Sequence, residues 1–369
     1  MLRSRLVLVT AAVGLLLIIV GAAQAATPAC GAGQVYTETN DPTGNQLVVL
    51  QAGRNGLLTQ RQLVDAGGLC TGEHLTSGGA VAVSTDGCRV AAVNAASGAV
   101  AVFTVSTAGR AAFAGSAAAG GAQTISVAIH GTRLATLSTT PGGTTTIQTF
   151  TVGRQRVTPV PGSLQTVGDA TDGGQIAFTA RGRYLVVTTR KSQGLATFRV
   201  GNDGVPTPAE SLVPLAPMWT YGFGLTPANQ AIVSLLDLRP PESGAFASEQ
   251  ITSAGGITPV STPILGQAGA CWVAVGPSGQ YAWGLNAVSK EVATLSVSNA
   301  GAIAVLGTIP VGGDGRDMAT SADGHFLYVS RPDAKDIAVF RIGANGLLTL
   351  VGSSPTPATA VSAGGIAAS

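Results

Sequence analysis

The chain has 369 residues, of which 45% are hydrophobic, 10% are charged and 5% are aromatic, and its formal net charge is +2. A chain of this length can bury a large core. The near-neutral charge argues against a nucleic-acid partner or an anionic membrane surface, either of which would require a basic patch. Its 51 glycines and 19 prolines indicate β structure with many turns.

The first 25 residues predict a signal peptide. Arg3 and Arg5 form a basic start, Leu6–Val20 is apolar, and Ala23–Ala25 supplies the small residues of a cleavage site. An uncleaved membrane anchor is the alternative, because the apolar run is almost long enough to span a bilayer. Cleavage would leave 18 basic and 18 acidic residues in an exported chain with no membrane partner.

A turn marker recurs along residues 26–369, which we interpret as one domain. It occurs at Asn55-Gly56, Ala108-Gly109, Gly153-Arg154, Asp203-Gly204, Gly255-Gly256, Ala300-Gly301 and Asn345-Gly346. The mean spacing is about 48 residues, which is typical of β-propeller blades of four short strands. A second marker, between the first and second strands of each repeat, occurs at Asp86-Gly87, His130-Gly131, Arg181-Gly182, Ala228-Asn229, Ser278-Gly279 and Asp323-Gly324.

The second marker occurs six times and the first seven times, because blade 1 opens directly with the strand-like Gln34–Thr37. We expect the C-terminal Gly365–Ala368 to supply the missing inner strand and so remove two free sheet edges. The predicted fold is therefore all-β: a seven-bladed β-propeller with four antiparallel strands per blade, closed by a C-terminal strand that completes blade 1.

Blade 7 shows the plan most clearly, with the turn Asp323-Gly324, the strands Phe326–Ser330 and Ile337–Ile342, and the turn Asn345-Gly346. This pattern resembles the lactonase-type seven-bladed propellers, the 6-phosphogluconolactonase-like proteins related to YVTN repeats. The resemblance extends over about Val35–Ala368. It implies an enzyme that opens or closes a sugar or carboxylate lactone with His, Arg and acidic groups at the channel mouth.

Loops that enter each first strand and follow each second strand lie on one side of a propeller, which we call the channel face. His74, the one histidine expected there, suits a general base near a lactone carbonyl, and Arg190 and Arg316 suit a carboxylate clamp. Together with Glu73 they are the candidate catalytic residues. A solvated loop histidine and inter-blade salt bridges are the structural alternatives. The candidate ligand-binding residues on this face are Lys191, Trp219, Tyr221, Asp237, Arg239, Asp317 and Arg331.

All four cysteines lie after the signal segment, and an even count in an exported chain favours two disulfides. We predict Cys30–Cys88, because both lie near the same face on neighbouring blades. We also predict Cys70–Cys271 across the channel mouth, provided that the loop 67–79 dips inward.

The sequence predicts no cofactor, no metal site and a monomer. The favoured function is an extracytoplasmic binding or interaction protein, because segments 123–126 and 313–317 carry no histidine where cytosolic lactonase relatives have one. Its ligand on the channel face would be a small molecule, a glycan or a protein. The alternative is a lactone hydrolase of the 6-phosphogluconolactonase-like type.

Overall fold

A computed structural model describes residues 30–139, 143–190, 194–215, 218–237, 239, 243–266, 268–357 and 365–369. The predicted signal segment and Lys191 lie outside the described residues. Within them, no helix is long and apolar enough to cross a membrane. The helical segments in the described residues are two single 3-10 turns, Ala95–Ser97 and Pro332–Ala334.

The described strands form seven antiparallel sheets. Those of blades 1 and 2 are β1 (Gln34–Glu38), β2 (Gln46–Ala52), β3 (Leu58–Asp65), β4 (Val81–Val83), β5 (Arg89–Asn94), β6 (Ala99–Val105) and β7 (Ala111–Ala118). Blade 3 contains β8 (Thr124–His130), β9 (Arg133–Ser138), β10 (Thr144–Val152), β11 (Val157–Pro159) and β12 (Gln165–Thr171). Blade 4 contains β13 (Gly173–Phe178), β14 (Tyr184–Thr189), β15 (Gly194–Val200) and β16 (Pro206–Pro214).

The remaining blades repeat the plan. Blade 5 contains β17 (Trp219–Leu225), β18 (Gln230–Asp237), β19 (Ser243–Ile251) and β20 (Ile257–Gly266). Blade 6 contains β21 (Ala270–Val275), β22 (Tyr281–Asn286), β23 (Glu291–Val297) and β24 (Ile303–Pro310). Blade 7 contains β25 (Asp317–Thr320), β26 (Phe326–Arg331), β27 (Asp336–Ile342) and β28 (Leu348–Pro355), and the chain ends with β29 (Ile366–Ala368).

The ring closes as predicted, because β29 pairs with β1 and completes blade 1. Tyr36 lies opposite Ala367 in this pairing. The Thr37 hydroxyl donates a hydrogen bond to the Gly365 carbonyl at 2.7 Å. All seven markers of the third-to-fourth strand turn fall between the expected strands. Five of the six first-to-second markers do so too, and the sixth, His130-Gly131, begins on the last residue of β8. The predicted seven-bladed fold is confirmed.

Blade 3 departs from the expected four strands, because its outer strand is broken into β11 and β12, which both pair with β10. The break falls at Val160–Leu164, where Pro161 has no amide hydrogen to donate to a ladder. Gly162 there has φ +75°, which an extended strand does not accommodate.

The core lies between neighbouring blades. At the closure, Val48 and Leu50 of blade 1 pack with Tyr328 and Val339 of blade 7, and all four side chains are buried. Burying one such side chain contributes about 1.5–3 kcal/mol. Glycine in the turn between the third and fourth strands also allows neighbouring blades to pack closely. Gly346 of blade 7 has φ +77°, and a Cβ at this position would meet the Tyr281 ring of blade 6.

One predicted disulfide is confirmed and the other is wrong. Cys30 and Cys88 are bonded, with their Cα atoms 4.8 Å apart. Cys70 and Cys271 are buried free thiols. The loop does dip inward, but only beyond Cys70, whose Sγ stays near blades 1 and 2, 3.4 Å from the Val93 carbonyl oxygen.

Glu38, on β1, is a fully buried carboxyl group. Its Oε2 accepts a hydrogen bond from Asn45 Nδ2 at 3.0 Å and lies 3.8 Å from Cys70 Sγ. Burial raises the pKa of Glu38 from 4.5 to about 8. Between these two values the unfolded chain releases this proton while the folded chain keeps it. The wild-type free energy of unfolding should therefore fall as the pH rises from about 4.5 to 8.

Glu38→Gln should weaken this dependence, because a neutral amide has no proton to release. Part of the dependence remains, because burial also raises the pKa values of Glu249 and Asp317, each to about 7. Urea unfolding of both proteins at pH 5 and pH 9 measures the difference, with exposed Glu73→Gln as the matched control. An equal pH dependence in wild type and Glu38→Gln would contradict the assignment.

Candidate functional site on the channel face

The segment 71–79, which leads from blade 1 into β4, closes the channel mouth, and we call it the plug. Its Ser77 hydroxyl donates to the Ile125 carbonyl of blade 3 at 2.7 Å. The Gly78 amide donates to Gly174 O of blade 4 at 3.2 Å, and Trp272 Nε1 of blade 6 donates to Ser77 O at 3.2 Å. The plug therefore ties together blades that are not neighbours in the ring.

Small residues allow the plug to enter the channel. A Cβ at Gly78 would come within 2.5 Å of Gln175 Oε1, and Gly79 has φ +71°. The Gly79 amide faces Asp317 Oδ2 at 3.4 Å, and its carbonyl accepts from the Val127 amide at 2.8 Å. A side chain at Gly78 would therefore have to displace the Gln175 amide from its hydrogen bonds with the Phe223 backbone.

Four of the inner strands, β8, β13, β17 and β21, carry an irregularity where they enter the blade from the channel face. Tyr221 lies on the irregularity of β17, and Cys271 lies on that of β21. Ser234 Oγ donates to the Cys271 carbonyl at 2.8 Å and to the Gly222 carbonyl at 2.9 Å. Such β-bulges redirect side chains and are common near active sites.

His74 projects from the plug and is half-buried. Its ring packs edge-on against Trp272, with ring centroids 5.6 Å apart and an interplanar angle of 77°. Burial, followed by the positive charges of Arg316 and Arg190, lowers the pKa of His74 from 6.5 to about 4. The imidazole is therefore neutral at physiological pH and can accept a proton.

Arg190, at the end of β14, lies between blade 4 and the plug. Its Nη2 forms an ion pair with Asp172 Oδ1 at 2.9 Å, and its Nη1 donates to Thr76 Oγ1. The guanidinium carbon also lies 5.7 Å from the centre of the Tyr221 ring. Only 12% of the Arg190 side chain is exposed, so the guanidinium is fixed before any ligand arrives.

Arg316 enters the site from the loop before β25. Its backbone amide donates to the Ser330 carbonyl at 2.9 Å. Its Nη2 lies 3.8 Å from Asp314 Oδ2, while Lys290 Nζ holds the other oxygen of Asp314 at 3.0 Å. The side chain is 30% exposed. Arg316 is thus held loosely and keeps N–H groups that can be directed at a ligand.

The floor of the site is aromatic and apolar. Tyr221 and Trp272 are buried with Cys271, and the partly buried Trp219 packs against the same cluster. Burial raises the pKa of Tyr221 and raises that of Cys271 to about 12. Both groups therefore stay protonated, and Cys271 is a packing thiol and no nucleophile.

The structure brings together His74, Arg190, Arg316, Tyr221 and Trp219 of the predicted residues. Glu73 precedes His74 on the plug, but its side chain is exposed. Asp237 and Arg239 form a surface ion pair within their own loop at 2.5 Å.

Two other predicted ligand contacts have internal partners. Arg331 Nη2 pairs with Asp336 Oδ2 at 2.6 Å. Asp317 is buried below the plug, where its carboxylate accepts hydrogen bonds from the Gly79, Met318 and Ile366 amides. Through these contacts, Arg331 and Asp317 stabilise the loops and strands around them.

Asp172 and Thr76 are site residues that the sequence did not single out. Asp172 stands next to Gly173-Gly174 and looks like a turn residue, while Thr76 is one of many threonines. The feature that distinguishes both residues is a positive φ, which is seen in the structure and not in the sequence. Within the described residues, no group of three or more His, Cys, Asp and Glu side chains is arranged to hold a metal.

Comparison with known proteins agrees with this architecture. The family model described as lactonase, seven-bladed β-propeller matches residues 229–362, which confirms the resemblance to lactonase-type propellers. The matched region includes Arg316 but neither His74 nor Arg190. No curated protein matches the chain in sequence.

Solved structures share the fold over most of the chain. A candidate 6-phosphogluconolactonase from Bacteroides uniformis ATCC 8492 is 16% identical, with a TM-score of 0.71, covering 90% of this chain and 99% of its own. The periplasmic gluconolactonase PpgL of Pseudomonas aeruginosa is 15% identical, with a TM-score of 0.69 and coverage of 88% and 96%. A Lactobacillus plantarum protein is 22% identical, with a TM-score of 0.58 and coverage of 69% and 78%. At these identities the likeness shows the fold alone.

Proposed function

We propose that this chain, whose residues 229–362 match the lactonase family of seven-bladed propellers, is a lactone hydrolase with its active site on the plug. The observation that carries the proposal is the placement of His74 on the plug, where its ring packs on Trp272 and the neighbouring Thr76 binds Arg190. The charges of Arg316 and Arg190 lie close enough to lower the pKa of this imidazole. A neutral base beside two cations suits a reaction that consumes water and creates an anion. The comparisons favour this hydrolase over the binding protein that the sequence alone favoured.

The reaction would proceed in two proton transfers. His74 takes a proton from a water molecule while the water oxygen attacks the carbonyl carbon of the lactone. The carbonyl oxygen becomes an oxyanion opposite Arg316. The ring C–O bond then breaks, and the leaving alkoxide takes the proton back from the imidazolium. The product is a hydroxy acid, which ionises in solution, and Arg190 and Arg316 favour the resulting carboxylate.

The aromatic floor offers a surface for the substrate ring. The Tyr221 ring lies 5.7 Å from the Arg190 guanidinium carbon, and Trp219 packs against the cluster that contains Tyr221. Aromatic faces pack well on the apolar faces of rings. A sugar or carboxylate lactone matches this combination of a flat apolar surface and positive charge.

We further propose that the reaction takes place outside the cytoplasm and that the protein acts as a monomer. The Cys30–Cys88 disulfide supports the location, because disulfides persist in oxidising compartments. A non-phosphorylated lactone is then the more accessible substrate, because phosphorylated sugars are intracellular metabolites.

A panel of five- and six-membered sugar and carboxylate lactones tests the function. Hydrolysis is followed by acid release at constant pH, with spontaneous opening subtracted. Turnover above the blank for at least one lactone supports the proposal. Binding of the lactones or their hydroxy acids by calorimetry, with no turnover, would reject hydrolysis and restore the binding function.

The pH dependence of kcat/KM provides a second check. Because the pKa of His74 is lowered to about 4, the base should stay active from about pH 8 down to about pH 5. Activity should then fall about tenfold per pH unit below pH 4. An inflection near pH 6.5 would show an unperturbed histidine and contradict the assigned environment. Circular dichroism at each pH separates titration from unfolding.

A further inference from the structure

The guanidinium of Arg190 joins two residues whose backbones are in the left-handed region. Thr76 has φ +50° and Asp172 has φ +67°. A β-branched residue at positive φ is an outlier, and such strain costs about 1–3 kcal/mol and persists only where the surroundings enforce it. The Thr76 conformation therefore needs support, whereas aspartate adopts the left-handed region more readily, so that Asp172 can hold its carboxylate towards Arg190 at smaller cost.

The contacts around Arg190 supply that support. Nη1 binds Thr76 Oγ1 and Nη2 binds Asp172 Oδ1, while the Arg190 amide donates to the Asp172 carbonyl at 2.8 Å. The Arg190 and Asp172 side chains are 12% and 15% exposed. A charge-assisted hydrogen bond in such a poorly hydrated place is about twice as strong as a neutral one.

Thr76 lies in the plug two residues after His74. Its hydrogen bond with Arg190 therefore helps to fix the backbone that carries His74. On its other side, Ser77 is pinned by Trp272 and by the Ile125 carbonyl. The His74 ring packs on the same Trp272. If the Thr76 backbone relaxed to negative φ, the chain between the fixed Ser77 and His74 would change direction, and His74 would leave Trp272.

We infer that Thr76 and Asp172 are positioning residues, which hold Arg190 between them so that the strained plug keeps His74 against Trp272 and beside the guanidiniums. The inference rests on the proposed function for its catalytic meaning. Neither residue touches the reacting atoms, and each acts through Arg190.

Thr76→Val is the decisive variant, because it keeps the branched shape, removes the hydroxyl and changes no charge. A change in the pKa of His74 would therefore report a change in its position. With only three histidines in the chain, NMR titration can follow the imidazole signals, and His74→Gln assigns the relevant one. We expect the pKa of His74 to move from about 4 towards 6.5 in Thr76→Val, and to stay low in Thr76→Ser, which restores the hydroxyl.

Hydrogen exchange of the plug amides gives a second readout that needs no substrate. Thr76→Val should exchange at least about tenfold faster than wild type in segment 71–79, because local opening becomes easier. Asp172→Asn keeps an acceptor but loses the charge, so its plug should exchange at an intermediate rate. Unchanged melting temperatures and protection in the other blades would show that the variants are folded.

In the lactone assay, Thr76→Val should lower kcat by about 10- to 100-fold with a smaller change in KM, since small misplacements of a catalytic group are this costly. Thr76→Ser should recover most of the rate. An unchanged His74 pKa and unchanged plug exchange in Thr76→Val would overturn the inference, whatever the activity. If the wild type hydrolyses no lactone, the proposed function fails, and titration and exchange still decide the positioning role.

Discussion

Replacing His74 with glutamine is expected to lower kcat for lactone hydrolysis by about 10²- to 10⁴-fold, the usual contribution of a general base. Glutamine keeps a polar side chain of similar reach but cannot take a proton from water at neutral pH. KM should change little, because the imidazole acts mainly in the transition state. Steady-state kinetics with the best lactone of the panel measures both values.

His130→Gln is the matched control, because His130 ends β8 at the opposite face, where its ring centroid lies 6.0 Å from that of Phe178. Its kinetics should equal those of the wild type. A His74→Gln enzyme with more than half of the wild-type kcat would exclude His74 as the base and move the active site elsewhere.

Replacing Arg316 with glutamine is expected to lower kcat/KM by about 10²- to 10³-fold, the loss typical of removing one donor that faces an oxyanion. A second consequence follows from charge. Arg316 is one of the two cations that lower the pKa of His74, so its removal should raise that pKa. The acid limb of the pH–rate profile should therefore move to higher pH in Arg316→Gln.

Arg239→Gln provides the control for Arg316, since Arg239 is a surface guanidinium whose ion-pair partner is Asp237 in the same loop. Its profile should match that of the wild type in both rate and pH dependence. A lowered rate without a shifted acid limb in Arg316→Gln would separate oxyanion stabilisation from the electrostatic effect on His74. An unaltered rate would remove Arg316 from the mechanism.

Some parts of the site were visible in the sequence, because they depend on where a loop falls in a repeat. His74 was identified by its place before an inner strand, and Arg190 by its place after a second strand. Both rules follow from strand order alone, since a blade of four antiparallel strands fixes which turns share a face. The Cys30–Cys88 pairing followed from the same rule applied to neighbouring blades.

Other features could not be read from strand order. The Cys70–Cys271 prediction, which is wrong, depended on the depth to which one loop enters the channel, and the ion pair of Arg331 with Asp336 at 2.6 Å depends on the path of the loop between them. Asp317 looked like a channel residue but became buried once the plug covered it. Such distances depend on loop conformations, for which turn residues indicate position but not path.

The sequence by itself determined the number of blades, the strand order and the way the ring closes. Glycine turns at a regular spacing and apolar strands between them permit few other arrangements, because each sheet must bury its faces against two neighbours. Only the tertiary structure decided that residues 71–79 form a plug and that Arg190 binds Thr76 and Asp172. Those contacts join residues up to 114 positions apart, and they depend on a left-handed backbone conformation at Thr76 that a β-branched residue rarely adopts.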